Sequence, residues 1–502
     1  MTDSRNGGAF LINRRRLLGY SAAAGLAAGF RGPLSAWAQE NPLGVDADGW
    51  TPDYIRSIAG TLEVDTAAEC AKVVPLDYSG GLTYWYVGPN EASPEQDHEI
   101  YAAFWKAFAE TYPNIKVEAQ SLNYNDMLNK IRTAALGHAA PMLARMPILW
   151  GVEFAAKGQL HELAPEDVGY PTSEYWPGAM KSVTWQGKTY GVPTNNETMA
   201  LIWNASIFDQ AGLDPESPPA TWDDVVAYSK QIKDSTGKHG YGLVARVNAG
   251  NTPFRFMPQA WAEGGGALDE AEASPSYQQT YINNAGTQRA LQQCYDMYVR
   301  DQSVPVSALT NTNNENMDPF TSNNLAMMIN HPSGYAGIID RANKAVGRDK
   351  AIAEAVVDNM RYGLIPKGAE RRAVVFGGSN AHMFHPDVVD GGNVDVDAVR
   401  AFLAFSTGPE WSTKQHWTGS NPGNLRGFRT SWMKERLDEI KFLEVSTAML
   451  TYGVPFPVVP ESPEIMNIIV PEMMQNALTD KMTVQESADD AARKIDELMA
   501  GI

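Results

Sequence analysis

The chain is expected to be an α/β protein of at least two domains. Three observations predict this. Strand-like and helix-like segments alternate along most of the sequence, the pattern of a largely parallel sheet with helical crossovers. The length, 502 residues, exceeds what one hydrophobic core ordinarily serves. The 43 glycines and 31 prolines supply the turns that many strand-to-helix connections need.

The first residues read as an address. Asn13-Arg14-Arg15-Arg16-Leu17-Leu18-Gly19 carries a twin-arginine export pattern, a weakly apolar stretch follows to Phe30, and Ala36-Trp37-Ala38 offers a small-x-small cleavage site. Residues 1–38 are therefore expected to be a signal peptide that directs the protein to the periplasm. Residues 39–80 read as an extension with one short helix starting at Thr51-Pro52-Asp53-Tyr54.

The alternation begins at Leu82–Val87, aromatic and β-branched, which predicts a strand closed by Gly88-Pro89-Asn90. Tyr101–Tyr112 carries Phe104, Trp105 and Phe108 at helical spacing, and Pro113-Asn114 breaks it. Ile115–Ala119 predicts a second strand and Asp126–Leu136 a second helix. A short helix ends at Gly158, and Gly187-Lys188 turns a hairpin between Val183–Trp185 and Thr189–Gly191. Leu201-Ile202-Trp203 reads as a buried strand, Thr221 as an N-cap ahead of Asp223 and Asp224, and Val484–Met499 as an amphipathic helix.

A net charge of −19 opposes phosphate backbones, and no basic stripe interleaves with aromatics, so nucleic acid is not an expected partner. Cys70 and Cys294 cannot build a zinc site or a disulfide framework; they either pair with each other in an oxidising compartment or stay as two buried thiols, and the thiols are the expectation. The histidines show no metal-ligand spacing, and no P-loop or nucleophile elbow occurs. No catalytic residue, metal or cofactor is therefore assigned.

An ordered series of motifs carries a resemblance. Tyr112-Pro113-Asn114-Ile115-Lys116-Val117 is followed by Gly158-Gln159-Leu160, then by Gly187 to Pro193, Leu201-Ile202-Trp203-Asn204 and Phe208 to Leu213. Ala326 to Asn330, Gly377-Gly378-Ser379, Gly419-Ser420-Asn421-Pro422 and Gln475 to Leu478 complete it. From about Leu82 onward the chain resembles the extracellular solute-binding proteins of carbohydrate ABC importers, the group that includes maltose-binding protein. The resemblance implies a two-lobed periplasmic binding protein fold of type II, with hinge strands around a ligand cleft. It places lobe 1 at 81–195 and 366–412, and lobe 2 at 196–365 and 413–502. Crossings fall near Pro193 to Met199, near Tyr362 to Pro366, and within 405–420. It further implies a monomeric receptor that hands a sugar-like solute to ABC permease subunits. A secreted polysaccharide-active hydrolase or lyase is the alternative. Ser333 stands where maltose-binding protein has a ligand-stacking tryptophan.

Sugar pockets pair aromatic rings with amides and carboxylates, because C–H faces stack and hydroxyls need donors and acceptors. Trp150, Trp261, Tyr335 and Trp417, each close to a glycine, are either ligand-stacking rings or loop aromatics. Trp85, Trp105 and Trp203 are expected in the core. Asn196 and Glu197, after Val192-Pro193, are expected to face the cleft. Asn90 and Glu91 after the first strand, and Asn125 at a strand-to-helix loop, sit where open α/β sheets gather ligands. Gly378 and Ser379 either let backbone approach a ligand or form a tight turn. The candidate loops hold no arginine cluster, so a neutral oligosaccharide or glycoside is the expected ligand.

Overall fold

A computed structural model describes residues 50–501 apart from 90, 92, 94, 149, 248, 249, 270–279 and 418. The expected signal at 1–38 and the candidate Asn90 lie outside the described residues.

The segment ahead of the first strand is built into the protein. Helix α1 (Pro52–Ile58) starts where expected: the Thr51 hydroxyl accepts from the Tyr54 amide, and Pro52 occupies the first turn, where a missing N–H costs nothing. A second helix, α2 (Thr66–Cys70), is capped by the Asp65 carboxylate; its five residues are too few for a periodic pattern to announce it. Trp50 is buried against Trp176 and Phe428, and the Tyr112 hydroxyl donates to the Cys70 and Val74 carbonyls.

Strand β1 (Gly80–Tyr86) alternates as a half-buried strand must, with Leu82, Tyr84 and Tyr86 turned to the core. Helix α3 (Glu95–Thr111) begins a turn and a half before the expected Tyr101, with Glu95 and Asp97 in its first turn, where acids suit the helix dipole. Phe104 and Phe108 on its inner face pack with Phe402 and Phe405. Strand β2 (Ile115–Ser121), helix α4 (Tyr124–Leu136), strand β3 (Leu143–Pro147) and helix α5 (Gly151–Ala156) complete the first βαβ run. Further on, the hairpin Thr184-Trp185/Lys188-Thr189 turns through Gln186 and Gly187, both at positive φ. That is the backbone hand a tight hairpin prefers.

Strand β4 (Val192–Glu197) is followed at once by β5 (Ala200–Asn204). Then come α6 (Trp222–Thr236), β6 (His239–Tyr241), α7 (Asn251–Ala262), β7 (Leu325–Asn330), α8 (Pro332–Lys344), β8 (Met360–Gly363) and β9 (Gly377–Met383). Thr221 and Asp224 close a reciprocal capping box on α6. Helix α9 (Val396–Thr407), the two-residue strand β10 (Asn421–Pro422), α10 (Ser431–Glu439), α11 (Phe442–Ala448) and the terminal α12 (Val484–Met499) follow.

Two sheets organise these elements. The first has six strands in the order β10-β4-β9-β3-β1-β2, and the second four in the order β8-β5-β7-β6. The β1 pairings with β2 and β3 are parallel, while β9 runs antiparallel to both β3 and β4. Only Thr198 and Met199 separate β4 in one sheet from β5 in the other. The chain returns between Gly363 and Gly377.

Two expectations need correction. Strand β10 pairs with Asn195 and Asn196 of β4, so Asn421 and Pro422, expected in the second lobe, lie in the first sheet. Further along the chain, α11 packs on α8 and β8 of the second sheet. Gly377-Gly378-Ser379 forms no tight turn. It opens β9, with a register shift between Ser379 and Asn380. Cys70 and Cys294 are both buried and free.

Candidate ligand cleft between the two sheets

The crossing places a carboxylate at the joint. Glu197 ends β4 with its side chain 32% exposed, so it is reachable from solvent. Its Oε1 accepts from the Ser420 hydroxyl at 2.8 Å, and the Ser420 oxygen accepts from Asn195 Nδ2 at 3.0 Å. Ser420 is held from behind by Arg436. This buried guanidinium donates to the carbonyls of Thr413, His416, Trp417 and Ser420. The Thr198 hydroxyl donates to the Ser446 carbonyl and fixes the crossing to α11.

His331 faces Glu197 from the second sheet. It follows β7, precedes α8, and sets Nδ1 3.8 Å from Glu197 Oε2. Burial, with the charge of Arg255 as a smaller cause, pulls the His331 imidazole down to about 3. It is neutral at physiological pH, so the two do not form an ion pair. Burial raises the Glu197 carboxyl above its ordinary range, partly offset by the Ser420 hydrogen bond and by Arg145. Carboxyl, hydroxyl and neutral imidazole side by side form a set of donors and acceptors suited to hydroxyl groups.

The walls approach each other around this pair. The Phe254 ring lies 3.0 Å from where a Cβ would stand at Gly377 and 5.8 Å, centroid to centroid, from the His331 ring. Ser333 Cβ lies 3.4 Å from the equivalent point at Gly419, and the Tyr124 hydroxyl 2.9 Å from that at Gly250, with Asn467 Oδ1 at 3.6 Å. In each pair one residue belongs with the first sheet and the other with the second.

The candidates chosen from sequence separate. Glu197 is at the centre. Trp150 is 4% exposed and stands behind Tyr124, ring centroids 5.7 Å apart, so Tyr124 presents the aromatic surface. Ser379 is half-buried, its carbonyl accepting from the Thr194 hydroxyl. Asn196 is buried inside the sheet, its Nδ2 donating to the Pro422 carbonyl, where it ties β10 to β4. Gly378 has φ +131°, and a Cβ there would stand 2.1 Å from the Asn195 carbonyl oxygen. A strand contact therefore accounts for its lack of a side chain. Trp261 is in the core beside Phe456. Trp417 is buried too, donating to Glu439 Oε2 at 2.8 Å beneath Arg436. Trp203 is in the core as expected, whereas Trp85 and Trp105 are only half-buried. Tyr335 stacks on Phe442, centroids 5.1 Å apart, and lines a recess of about 320 Å³ with Gln96, Asp340 and Glu439 to one side of the joint. Glu91 is exposed in a turn, and Asn125 lies in the first turn of α4, its side chain outside the description.

Tyr124, Phe254 and His331 went unselected. Phe254 sits on α7, whose Pro253 and Pro258 hide the helix from a propensity reading. His331 is a lone histidine in sequence, without metal-ligand spacing to mark it. Ser420, though inside a quoted motif, has no chemistry of its own until Asn195 and Glu197 are brought to it.

Comparison with known proteins agrees with this architecture. The family described as bacterial extracellular solute-binding protein matches residues 92–413. An uncharacterized ABC transporter extracellular-binding protein of Pyrococcus horikoshii is 30% identical over 183 residues, which are 36% of this chain and 41% of that relative; the match thus spans about two fifths of the relative's length. The sn-glycerol-3-phosphate-binding periplasmic protein UgpB of Shigella dysenteriae is 24% identical over 322 residues, 62% of this chain and 68% of that one. Among solved structures, the GacH receptor of Streptomyces glaucescens superposes with a TM-score of 0.67 at 22% identity, over 84% of this chain and 99% of the other. Maltose-bound MalE3 of T. maritima superposes with a TM-score of 0.68 at 19% identity, over 84% and 100%. With two sheets joined by short crossings around an interlobe cleft, and a family match over most of its length, the chain belongs to the bacterial extracellular solute-binding proteins.

Proposed function

We propose that this protein is the solute-capturing component of an ABC importer, taking a sugar or sugar-like molecule between its lobes. Export by the twin-arginine route to the periplasm, a monomeric state and delivery to permease subunits belong to the same reading. The lobes are proposed to part around β4–β5, the 363–377 segment and α11.

The observation that carries it is the position of Glu197. A part-exposed carboxylate stands at the crossing, hydrogen-bonded to Ser420 on its own lobe and 3.8 Å from His331 on the other. A ligand hydroxyl between them would be held by both lobes, so it would bind the closed form better than the open one. Such differential affinity is what drives closure. The family resemblance and GacH, whose reported ligand is acarbose, support a carbohydrate-like solute.

Calorimetry over sugars, polyols and their derivatives, followed by small-angle scattering with any ligand found, tests this. Binding with a fall in the radius of gyration is expected, and Glu197→Ala should weaken it by about ten- to a hundredfold. A tight ligand that leaves the radius of gyration unchanged sinks the closure mechanism. Turnover of a bound oligosaccharide sinks the receptor reading.

A further inference from the structure

Three arginines are buried in or near the cleft, and one is coordinated unlike the others. Arg436 is saturated by four carbonyls. Arg145 donates to the Tyr101 hydroxyl and the Val87 carbonyl. Arg255, on α7 next to Phe254 and 4% exposed, uses only Nη1, which reaches back one turn to the carbonyl and Oδ1 of Asn251 at 3.2 and 3.3 Å. Its Nε and Nη2 have no hydrogen-bond partner among the described residues. Both of the groups it does reach are neutral.

Nε and Nη2 form the side-on edge of the guanidinium, the pair of parallel donors that matches the two oxygens of a carboxylate or phosphate. An uncompensated buried charge is strongly destabilising, and proteins normally neutralise or pair it. Burial lowers Arg255 only to about 10, so the side chain remains cationic at neutral pH.

The location sets Arg255 beside the cleft. The bond to Asn251 draws the guanidinium toward the N-terminal end of α7, where Gly250 meets the Tyr124 hydroxyl from the opposite lobe. The preceding residue, Phe254, packs on His331 and against Gly377, and the Arg255 charge is felt at His331.

We propose that the captured solute carries an anionic group, a carboxylate or a phosphate ester, bound by the Nε–Nη2 edge of Arg255, while its hydroxyls meet Glu197 and Ser420. The ligand class is then a sugar acid or a polyol phosphate in place of the neutral oligosaccharide expected from sequence. Arg255 is the specificity-determining residue. This rests on the capture function proposed above and narrows it.

Matched probes test it: glucose, glucuronate and glucose 6-phosphate, then glycerol and glycerol 3-phosphate, with a set of neutral oligosaccharides, titrated calorimetrically into the wild-type protein and Arg255→Gln. At least one charged member should bind about tenfold or more tightly than its neutral counterpart. Glucuronate and the phosphates decide between the two anion types. Arg255→Gln should erase that preference. If Arg255→Gln does not fold, judged by its melting curve, Arg255→Lys keeps the charge without the two-donor edge and should lose most of the preference. Equal affinity for charged and neutral partners, or a neutral oligosaccharide bound equally by wild type and variant, overturns the anion assignment and leaves the receptor reading standing. Failure of every sugar and polyol to bind overturns both.

Discussion

Trp50 donates its indole N–H to the carbonyl of Thr447, 397 residues later, at 2.8 Å. The acceptor lies on α11, which also takes the Thr198 hydroxyl at the first crossing and donates from the Thr447 hydroxyl to Asn421 of β10. Arg56 reaches the same helix through Glu444. The segment before β1 is thus anchored at the joint between the lobes. Trp50→Ala should cost about 3–5 kcal/mol in urea unfolding, from lost burial and an orphaned carbonyl. A loss below about 1 kcal/mol would mark the segment as peripheral.

Gly378 gives a second prediction. Its φ of +131° and the closeness of the Asn195 carbonyl leave no room for a side chain. Gly378→Ala should destabilise the protein by about 2 kcal/mol or more, with affinity unchanged in the molecules that remain folded. Unchanged stability with lost affinity would return Gly378 to the ligand site.

What sequence could disclose follows from the range of the signals. Val484–Met499 is amphipathic, and Thr221 with Asp224 is a local cap, so both were readable from a few neighbouring residues. The place of Glu197 at the end of β4 was readable because the motif around Val192-Pro193 locates the crossing. The partners of Glu197 are different in kind. Ser420 lies 223 residues away, and His331 comes from the other sheet. Aromatics were misjudged for a related reason. Proximity to glycine does not reveal burial, so Trp261 and Trp417 read like loop residues while Phe254, inside a proline-containing helix, drew no attention.

Buried imidazoles predict an acid limit. Burial holds His331 down to about 3 and His382 to about 4, and drives His416 well below its ordinary value. A histidine depressed in the folded state takes up its proton only on unfolding. Stability is therefore fully present above about 6.5, the unfolded value, and falls as pH drops toward the folded values. His331 and His382 should each contribute a loss of about 2 kcal/mol between pH 6.5 and 5, and His416 acts in the same direction. Glu197, raised by burial, acts with the opposite charge and the opposite slope. It removes stability as pH rises above its unfolded value near 4.5. Three histidines outweigh one carboxyl, so urea midpoints should fall from pH 7 to 5, and His382→Gln should flatten the decline. A midpoint independent of pH across that range would count against neutral burial.

The approach of Ser333 to Gly419 sets the last expectation. These residues stand on opposite lobes, and Ser333 Cβ lies 3.4 Å from where a side chain at Gly419 would begin. A serine there lets α8 come up against the turn before β10. An indole at the same place would occupy that gap, and close-packed walls yield little. If this contact limits closure, Ser333→Trp should keep the radius of gyration near its unliganded value when ligand is added and weaken binding by about tenfold or more, because the ligand would then touch one lobe at full strength and the other poorly. Gly419→Leu, which crowds the same gap from the other side, should act in the same direction. A stacking role predicts the reverse for Ser333→Trp, since a new aromatic face on a sugar ring would tighten binding to neutral oligosaccharides. The sign of the change in affinity separates a wall that must close from a wall that wants a ring.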